Sequence, residues 1–431
     1  MKTETVNALD DFDATLRSQA LQEAVAELNA GAAHAPVEPP VMNLHMHTFY
    51  SYNMEGHSPS YLAWKAKQAG MVAAGMVDFD VLDGVEEFLA ASRLLGLRAC
   101  AGIETRVFVP EFKDDVINSP GEPGIAYHLG LGIPGRKLAD REERFLQSLR
   151  ETAERRNRGM VERVNTYLAP AAIDYDQDVL PRTPAGNATE RHLCTAYALK
   201  AAAVFPDPAA LAAFWSEKLD LDILPADLPD SNRLLDRLRG KTMKQGGVGY
   251  VAPDPETFPR LDAMNAFVLG AGGIPAVAWL NGETDGERQM ERWMDVAMAS
   301  GTAALNLIPD RNIAPGKQAT GPQRLKEVME LAEARALPVA VGTELNAPGQ
   351  PFIDAFDSPS LQPWNAYFTQ SAYILFAHTA LQRHHQRGYL SDWAREHFPV
   401  PRERNRYFAQ MGQAINPHQP DVLPDTDPAS A

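Results

Sequence analysis

The sequence that decides the fold is Asn43-Leu-His-Met-His-Thr-Phe-Tyr-Ser51, and a short apolar run, Pro40-Val-Met42, leads into it. The apolar run predicts a strand that enters a hydrophobic core. Residues two apart on a strand point to the same face, so His45 and His47 project side by side. Two imidazoles in this arrangement suit one metal ion, although two hydrogen-bonded structural histidines would give the same pattern. The sequence downstream favours the metal.

Three further apolar segments run into residues of the kinds that bind metals. Residues 71–77 lead to Asp78, residues 97–103 lead to Glu104, and residues 337–342 lead to Glu344. Parallel strands that each deliver a polar residue at the carboxyl end form the top face of a β/α barrel. The spacing therefore predicts an α/β fold in which these residues meet at one face.

Four motifs in this order resemble those of the PHP (polymerase and histidinol phosphatase) superfamily. They are the His-x-His of residues 45–47, Val-Asp-Phe-Asp-Val-Leu-Asp-Gly at 77–84, Gly-Ile-Glu at 102–104 and Gly-Thr-Glu-Leu-Asn at 342–346. The first and third are close to the family pattern, whereas the second and last are altered. The chain thus resembles a divergent member over about residues 41–134 and 265–350. The resemblance implies a distorted (β/α)7 barrel of PHP type, up to three metal ions and hydrolysis of phosphate esters.

The resemblance also implies the ligands of one metal ion. The residues that fall where the superfamily binds its first metal, through two histidines and two carboxylates, are His45, His47, Glu104 and Glu344. Glu344 stands in place of a family aspartate and is still able to bind a metal. His128 corresponds to a histidine of the second family metal, and we expect it to bind the remaining ion directly or through water.

The family histidines of the other metal positions are absent from this sequence. Phe79, Trp279 and Asn346 stand in their places, and an aromatic hydrocarbon ring cannot bind a metal ion. Burying further divalent ions without compensating ligands would leave their charge desolvated. We therefore expect one divalent ion, for which zinc, manganese and iron all suit the donor set.

Other polar residues near the same strand ends are candidates for catalysis and substrate binding. Asp78 and Arg106 are the candidate catalytic residues, although Asp78 also fits a residue that orients the metal ligands. Arg106, Arg311 and Asn346 are the candidates for binding an anionic substrate. Each arginine would equally fit a surface ion pair.

Composition and charge limit the classes of partner. The 431 residues carry a formal net charge of −16, and the isoelectric point is about 5.2. Binding to nucleic acid or to an anionic membrane calls for a basic face, so neither is expected and a small-molecule substrate is the predicted partner. Cys100 and Cys194 lack metal-type spacing and indicate a reduced, cytoplasmic setting. The polar amino terminus and the absence of an apolar run of membrane-spanning length fit a soluble protein.

Changes in the predicted pattern of strands and helices divide the chain into six parts. They are an amino-terminal amphipathic helix with a linker (1–40), a first barrel part (41–134), a helical insertion that could serve as a lid (135–255), a second barrel part (256–357), a helical carboxyl-terminal extension (358–420) and a disordered tail (421–431). The helices at either end of the chain are candidate contacts for a homo-oligomer.

Three functions fit these features. The first is a metal-dependent hydrolase of PHP type that acts on a small phosphorylated or acidic substrate through a metal-activated water. The second is a mononuclear metal-dependent sugar lyase, isomerase or epimerase, because a single ion with two histidine and two carboxylate ligands suits enolate stabilisation. The third is a relative that binds a small molecule without catalysis.

Overall fold

The computed structural model describes residues 3–30, 38–313 and 320–424. The predicted linker is mostly outside these residues, as is most of the predicted tail. Seven strands form one sheet in sequence order, namely β1 (Met42–Met46), β2 (Ala73–Phe79), β3 (Ala99–Phe108), β4 (Ile125–Leu131), β5 (Ile274–Trp279), β6 (Ala304–Leu307) and β7 (Val339–Val341). Neighbouring strands are parallel, except that β4 runs antiparallel to both β3 and β5. The predicted α/β barrel is confirmed.

The barrel nearly closes where the end of β7 approaches β1. The backbone N–H of His47 donates to the carbonyl of Glu344 at 2.9 Å. A Cβ at Gly342 would lie 2.1 Å from Asn43 Oδ1 and 2.7 Å from the backbone nitrogen of Leu44. Glycine is therefore required at this position, and the close approach brings the first and last motifs of the sequence together.

Sixteen α-helices occur in the described residues. They are α1 (Thr3–Ala8), α2 (Ala14–Ala30), α3 (Pro59–Gln68), α4 (Val85–Leu95), α5 (Asp140–Leu168), α6 (Glu190–Val204), α7 (Pro208–Leu219), α8 (Asn232–Thr242), α9 (Leu261–Gly270), α10 (Asp285–Arg288), α11 (Met290–Ala299), α12 (Asp310–Ile313), α13 (Gly321–Ala334), α14 (Asn365–His385), α15 (Asp392–His397) and α16 (Pro401–Ala414). None of them is both long enough and apolar enough to span a membrane.

The single amino-terminal helix of the sequence analysis is two helices in the structure. The carboxylates of Asp11 and Asp13 accept backbone N–H groups two residues ahead, from Asp13 and Thr15, at 2.7 Å each. Such local bonds favour a turn over a continuous helix. Helix α2 then packs on the barrel core through Ala20, Leu21 and Ala24.

The helices α5 to α8 build a second hydrophobic core, separate from that of the barrel. Fully buried side chains from each of the four helices fill it, among them Val164, Tyr197, Trp215 and Leu238. The segment between α5 and α6 touches the barrel mouth, where Asn187 Nδ2 donates to the carbonyl oxygens of Phe79 at 2.9 Å and Tyr50 at 3.1 Å. The insertion therefore contacts the loops that follow β1 and β2.

Candidate metal centre

Four buried side chains converge at the carboxyl ends of the strands. His45 and His47 come from β1 and the residue just after it, Glu104 from β3, and Glu344 from the loop after β7. One ligand atom from each lies within 4.8 Å of all the others. The Nε2 atoms of both histidines approach the same oxygen, Glu104 Oε2, at 2.8 Å for His45 and 3.0 Å for His47. Burial by itself would raise the pKa of Glu104, but the two imidazoles hold it down to about 2.

These residues fit a divalent metal ion. His47 Nε2 is buried and has no hydrogen-bond partner among the described residues, because its 3.0 Å contact with Glu104 lacks hydrogen-bond geometry. A buried polar atom without a partner is costly unless something else binds it. The cluster also offers two neutral nitrogen donors and two carboxylates, which together neutralise one divalent charge.

Asn306 on β6 orients the first histidine, and the sequence analysis missed it. Its amide Nδ2 donates to the carbonyl of Ala340 at 3.1 Å, which leaves Oδ1 to accept from His45 Nδ1–H at 2.7 Å. A proton held on Nδ1 leaves the Nε2 lone pair free for a metal. A lone polar residue inside the apolar strand Ala-Leu-Asn-Leu was the available signal.

Asp78 contacts the loop that carries His47. Its carboxylate accepts three hydrogen bonds from the loop after β1, from Thr48 N at 2.8 Å, Thr48 Oγ1 at 2.6 Å and Ser51 Oγ at 2.6 Å. Ser51 Oγ is also 3.4 Å from His47 Nδ1. Asp78 thus fixes the loop that carries His47, which suits an orienting residue better than a catalytic one.

Phe79 occupies a position where the superfamily resemblance places a histidine. Its ring stacks on the His47 imidazole with centroids 4.3 Å apart and an angle of 22° between the planes. Trp279, at another such position, is 1% exposed at the end of β5. These rings pack against the cluster or in the core and offer no metal ligand.

Arg311 lies next to the cluster and contacts one of its carboxylates. Glu344 Oε2 accepts from Arg311 Nη2 at 2.7 Å and from Gln350 Nε2 at 3.1 Å. Gln350 Oε1 in turn accepts the backbone N–H groups of Asn346 and Ala347 at 2.9 and 3.0 Å. The predicted substrate-binding arginine is thus at the site, whereas the backbone of Asn346 is held by a glutamine that the sequence analysis missed.

Arg106 and Tyr127 extend the site away from the metal cluster. Arg106 lies two residues beyond Glu104 on the same face of β3, and its Nη1 donates to Glu122 Oε2 at 2.7 Å. Tyr127 is its directly paired neighbour on β4. Burial raises the pKa of the Tyr127 phenol, and the charges of Arg106, Glu104, Arg311 and Glu344 act on it as well. Tyr127, missed by the sequence analysis, is therefore close enough to both arginines and to the two carboxylates of the cluster for their charges to act on its phenol.

His128 is outside the cluster and faces the other side of the sheet. Alternate residues of a strand point to opposite faces, so Tyr127 and Leu129 share the face of their paired neighbours Arg106 and Glu104, and His128 does not. Its Nε2 is 2.7 Å from Asn265 Oδ1 on α9. Burial lowers the pKa of His128 to about 4. The structure brings four of the five predicted ligands together and places His128 in a structural contact.

Comparison with known proteins supports the fold. No protein-family model matches the chain, and the comparison with curated proteins found no match. An amidohydrolase from Chromobacterium violaceum, whose structure contains sulfate and no metal, has a TM-score of 0.51 at 18% identity, covering 77% of this chain and 96% of that one. A protein from Bifidobacterium adolescentis, provisionally assigned as a metal-dependent phosphoesterase, has a TM-score of 0.47 at 22% identity, covering 74% and 91%. The chain shares its fold with the first of these proteins.

Proposed function

We propose that this protein is a divergent PHP-type hydrolase that uses one divalent metal ion, zinc, manganese or iron, to cleave a small phosphorylated or acidic substrate. The observation that carries the proposal is the buried cluster of His45, His47, Glu104 and Glu344, in which His47 Nε2 lacks a hydrogen-bond partner among the described residues. The motifs that resemble the superfamily and the shared barrel fold support it. Fold similarity alone would not, because one barrel serves many reactions.

The residues around the cluster have separable roles. A divalent ion bound there would lower the pKa of a bound water to near neutrality and polarise the scissile group. Arg311, 38% exposed beside Glu344, can neutralise negative charge on a phosphoryl or carboxyl group of the substrate. A tyrosine phenol is protonated at neutral pH, and burial raises the pKa of Tyr127 further, so its hydroxyl can donate to a substrate oxygen. Phe79, stacked on His47, limits the access of bulk water.

A panel of phosphate monoesters, phosphodiesters and small amides tests this function. The protein is stripped with a chelator, reloaded in turn with Zn²⁺, Mn²⁺ and Fe²⁺, and assayed by release of phosphate or amine. We expect turnover of at least one substrate with at least one metal, and its loss in a His45→Ala, His47→Ala double variant. Turnover that the chelator and the double variant leave unchanged would contradict the proposal.

A mononuclear lyase, isomerase or epimerase is the second candidate. It is favoured by one observation, that aromatic Phe79 and Trp279 stand where a multi-metal phosphoesterase would have ligands. Metal-dependent exchange of a carbon-bound proton with solvent deuterium, followed by NMR on a panel of sugar phosphates and sugar acids, tests it. Exchange without hydrolysis would favour this function, and neither reaction would favour a non-catalytic binding protein.

A further inference from the structure

Two cations of the helical insertion share a single carboxylate next to the barrel. Arg239, in the last turn of α8, donates from Nε to Glu190 Oε2 at 2.8 Å, and Lys244 Nζ lies 2.7 Å from the same oxygen. Glu190 is the first residue of α6. One carboxylate cannot neutralise two cations, so this group keeps positive charge in a chain whose formal net charge is −16.

The same group of charges reaches the inner wall of the barrel. Glu122 links the two parts, because its Oε2 accepts from Arg106 Nη1 at 2.7 Å and its Oε1 accepts from the hydroxyl of Tyr250, in the segment after α8, at 3.3 Å. Arg239 in turn lies near Tyr127, whose phenol is uncharged at neutral pH. Because Tyr127 also lies near Glu104 and Glu344, polar and charged residues connect the metal cluster to the insertion.

A further arginine adds to the positive charge. The guanidinium groups of Arg106 and Arg156 both lie over the ring of Phe258, at 4.2 and 5.6 Å from its centroid. No carboxylate of a described residue lies within 4.0 Å of the Arg156 nitrogens, and burial and the neighbouring Arg106 lower its pKa. Arg106 pairs with Glu122, whereas Arg239 and Lys244 share Glu190, so these ion pairs contain three cations and two carboxylates, an excess of one positive charge.

Ion pairs that merely fasten the insertion to the barrel would not need this excess. A structural contact is most stable when each buried charge has its own partner. Here Arg239 and Lys244 remain 30% and 48% exposed, while Glu190 between them is 18% exposed. Partly exposed cations that share one counter-ion can bind an anionic ligand in its place, because charge-assisted hydrogen bonds to phosphate or carboxylate are strong.

We propose that Arg239 and Lys244, with Arg106 opposite them, bind a second anionic group of the substrate, a phosphate or a carboxylate, and that this group displaces Glu190. The inference rests on the proposed function for the location of the reacting group at the metal cluster. The substrate is accordingly a small molecule with two anionic groups, one at the metal cluster and one at the junction with the insertion. The insertion thus contributes to substrate selection.

Binding of simple anions to the chelator-treated protein tests the subsite without relying on catalysis. Inorganic phosphate and malonate are titrated separately by calorimetry at low ionic strength into the wild type, an Arg239→Gln, Lys244→Gln variant and a control. The control is Arg237→Gln, Lys241→Gln, which removes the same charge from exposed positions of the same helix. We expect the first pair to weaken binding by about tenfold or more, since charged hydrogen bonds are lost, and the control by less than about twofold.

A Glu190→Gln variant should change anion affinity in the opposite direction to the Arg239→Gln, Lys244→Gln variant. Removing the competing carboxylate should tighten anion binding several-fold, whereas a purely structural role for Glu190 predicts weaker binding or none. Circular dichroism verifies that each variant is folded. Tighter binding of phosphate than of malonate would assign a phosphate to the subsite, and the reverse would assign a carboxylate.

Three results would overturn the subsite. They are no binding of either anion by the wild type below about 10 mM, equal weakening in the two double variants, and unchanged or weaker binding in Glu190→Gln. None of these measurements uses the metal or the reaction. A failure to detect hydrolysis would therefore leave the anion-binding results unaffected, and a failure of anion binding would leave the proposed metal centre untouched.

Discussion

The Glu104→Gln substitution tests the metal centre directly. Glu104 Oε2 is the oxygen that both histidine Nε2 atoms approach, at 2.8 and 3.0 Å. A neutral amide is a poor metal ligand, and its loss of charge leaves Glu344 as the one carboxylate of the cluster. We therefore expect the variant to fold but to bind a divalent ion far more weakly than the wild type does.

The size of the effect follows from linkage between binding and folding. A ligand present at one hundred times its dissociation constant stabilises the native state by about 2.7 kcal/mol. An unfolding entropy of about 2.1 cal/mol/K per residue gives about 0.9 kcal/mol/K for 431 residues. Dividing the stabilisation of about 2.7 kcal/mol by this entropy, we expect metal at that concentration to raise the wild-type melting temperature by about 3 °C. In Glu104→Gln the rise should vanish.

Scanning calorimetry and elemental analysis measure the two consequences together. Each protein is compared with its own chelated form, which removes any effect of the substitution on the metal-free fold. Glu256→Gln, which removes an exposed carboxylate outside the cluster, is the control and should keep the full shift. After dialysis against a weak chelator we expect close to one equivalent of metal in the wild type and in the control. A Glu104→Gln protein with the wild-type shift and metal content would refute the assignment, and two or three equivalents in the wild type would refute the single site.

Three further predictions concern residues that the fold buries. Asn306→Ala should weaken metal binding by about 10- to 100-fold, because His45 Nδ1–H loses its acceptor. Asn306→Asp keeps an acceptor and should lose less metal affinity, measured by competition with a chromophoric chelator. Equal losses of affinity in the two variants would contradict this role of Asn306. Burial and the charge of Asp310 raise the pKa of Asp354 to about 7, so ionisation costs the folded state stability as pH rises from about 4 to about 7. Asp354→Asn should therefore be more stable than the wild type at pH 8, by at most about 4 kcal/mol. In urea titrations this gain in stability should disappear near pH 4. A gain that does not depend on pH would exclude the ionisation of Asp354 as its cause. Burial lowers the pKa of His378 to about 4, and its Nδ1 accepts from Tyr389 N–H at 2.9 Å. The free energy of unfolding should therefore fall as pH drops from about 6.5 to about 4. His378→Asn should reduce this dependence of stability on pH, whereas the same change at exposed His418 should not.

The sequence by itself determined the barrel and the four residues of the metal cluster. The barrel and the pairing of the two histidines rest on patterns that are local in the chain, whereas the complete set of four, Glu344 above all, rests on the resemblance to the PHP superfamily. His45 and His47 share a face because strands have a period of two, and Glu104 and Glu344 end apolar runs at the points where strands end. Local chemistry also sets two helix ends: Ser58 Oγ accepts Tyr61 N–H at the start of α3, and Gly96 ends α4 with φ 62°.

The tertiary structure alone decided what surrounds the cluster. His128 lies within the apolar strand β4, just as His45 lies within β1, but the antiparallel course of β4 and the pairing of Tyr127 with Arg106 turn it to the outer face. Asn306, 261 residues from His45 in the chain, becomes its partner only when β6 takes its place in the sheet. Arg239 and Lys244 meet Glu190 only when α6 and α8 pack in the core of the insertion. Local periodicity determines the face of the strand to which a side chain points. Strand direction and helix packing determine which residues that side chain contacts, and both depend on contacts between residues far apart in the sequence.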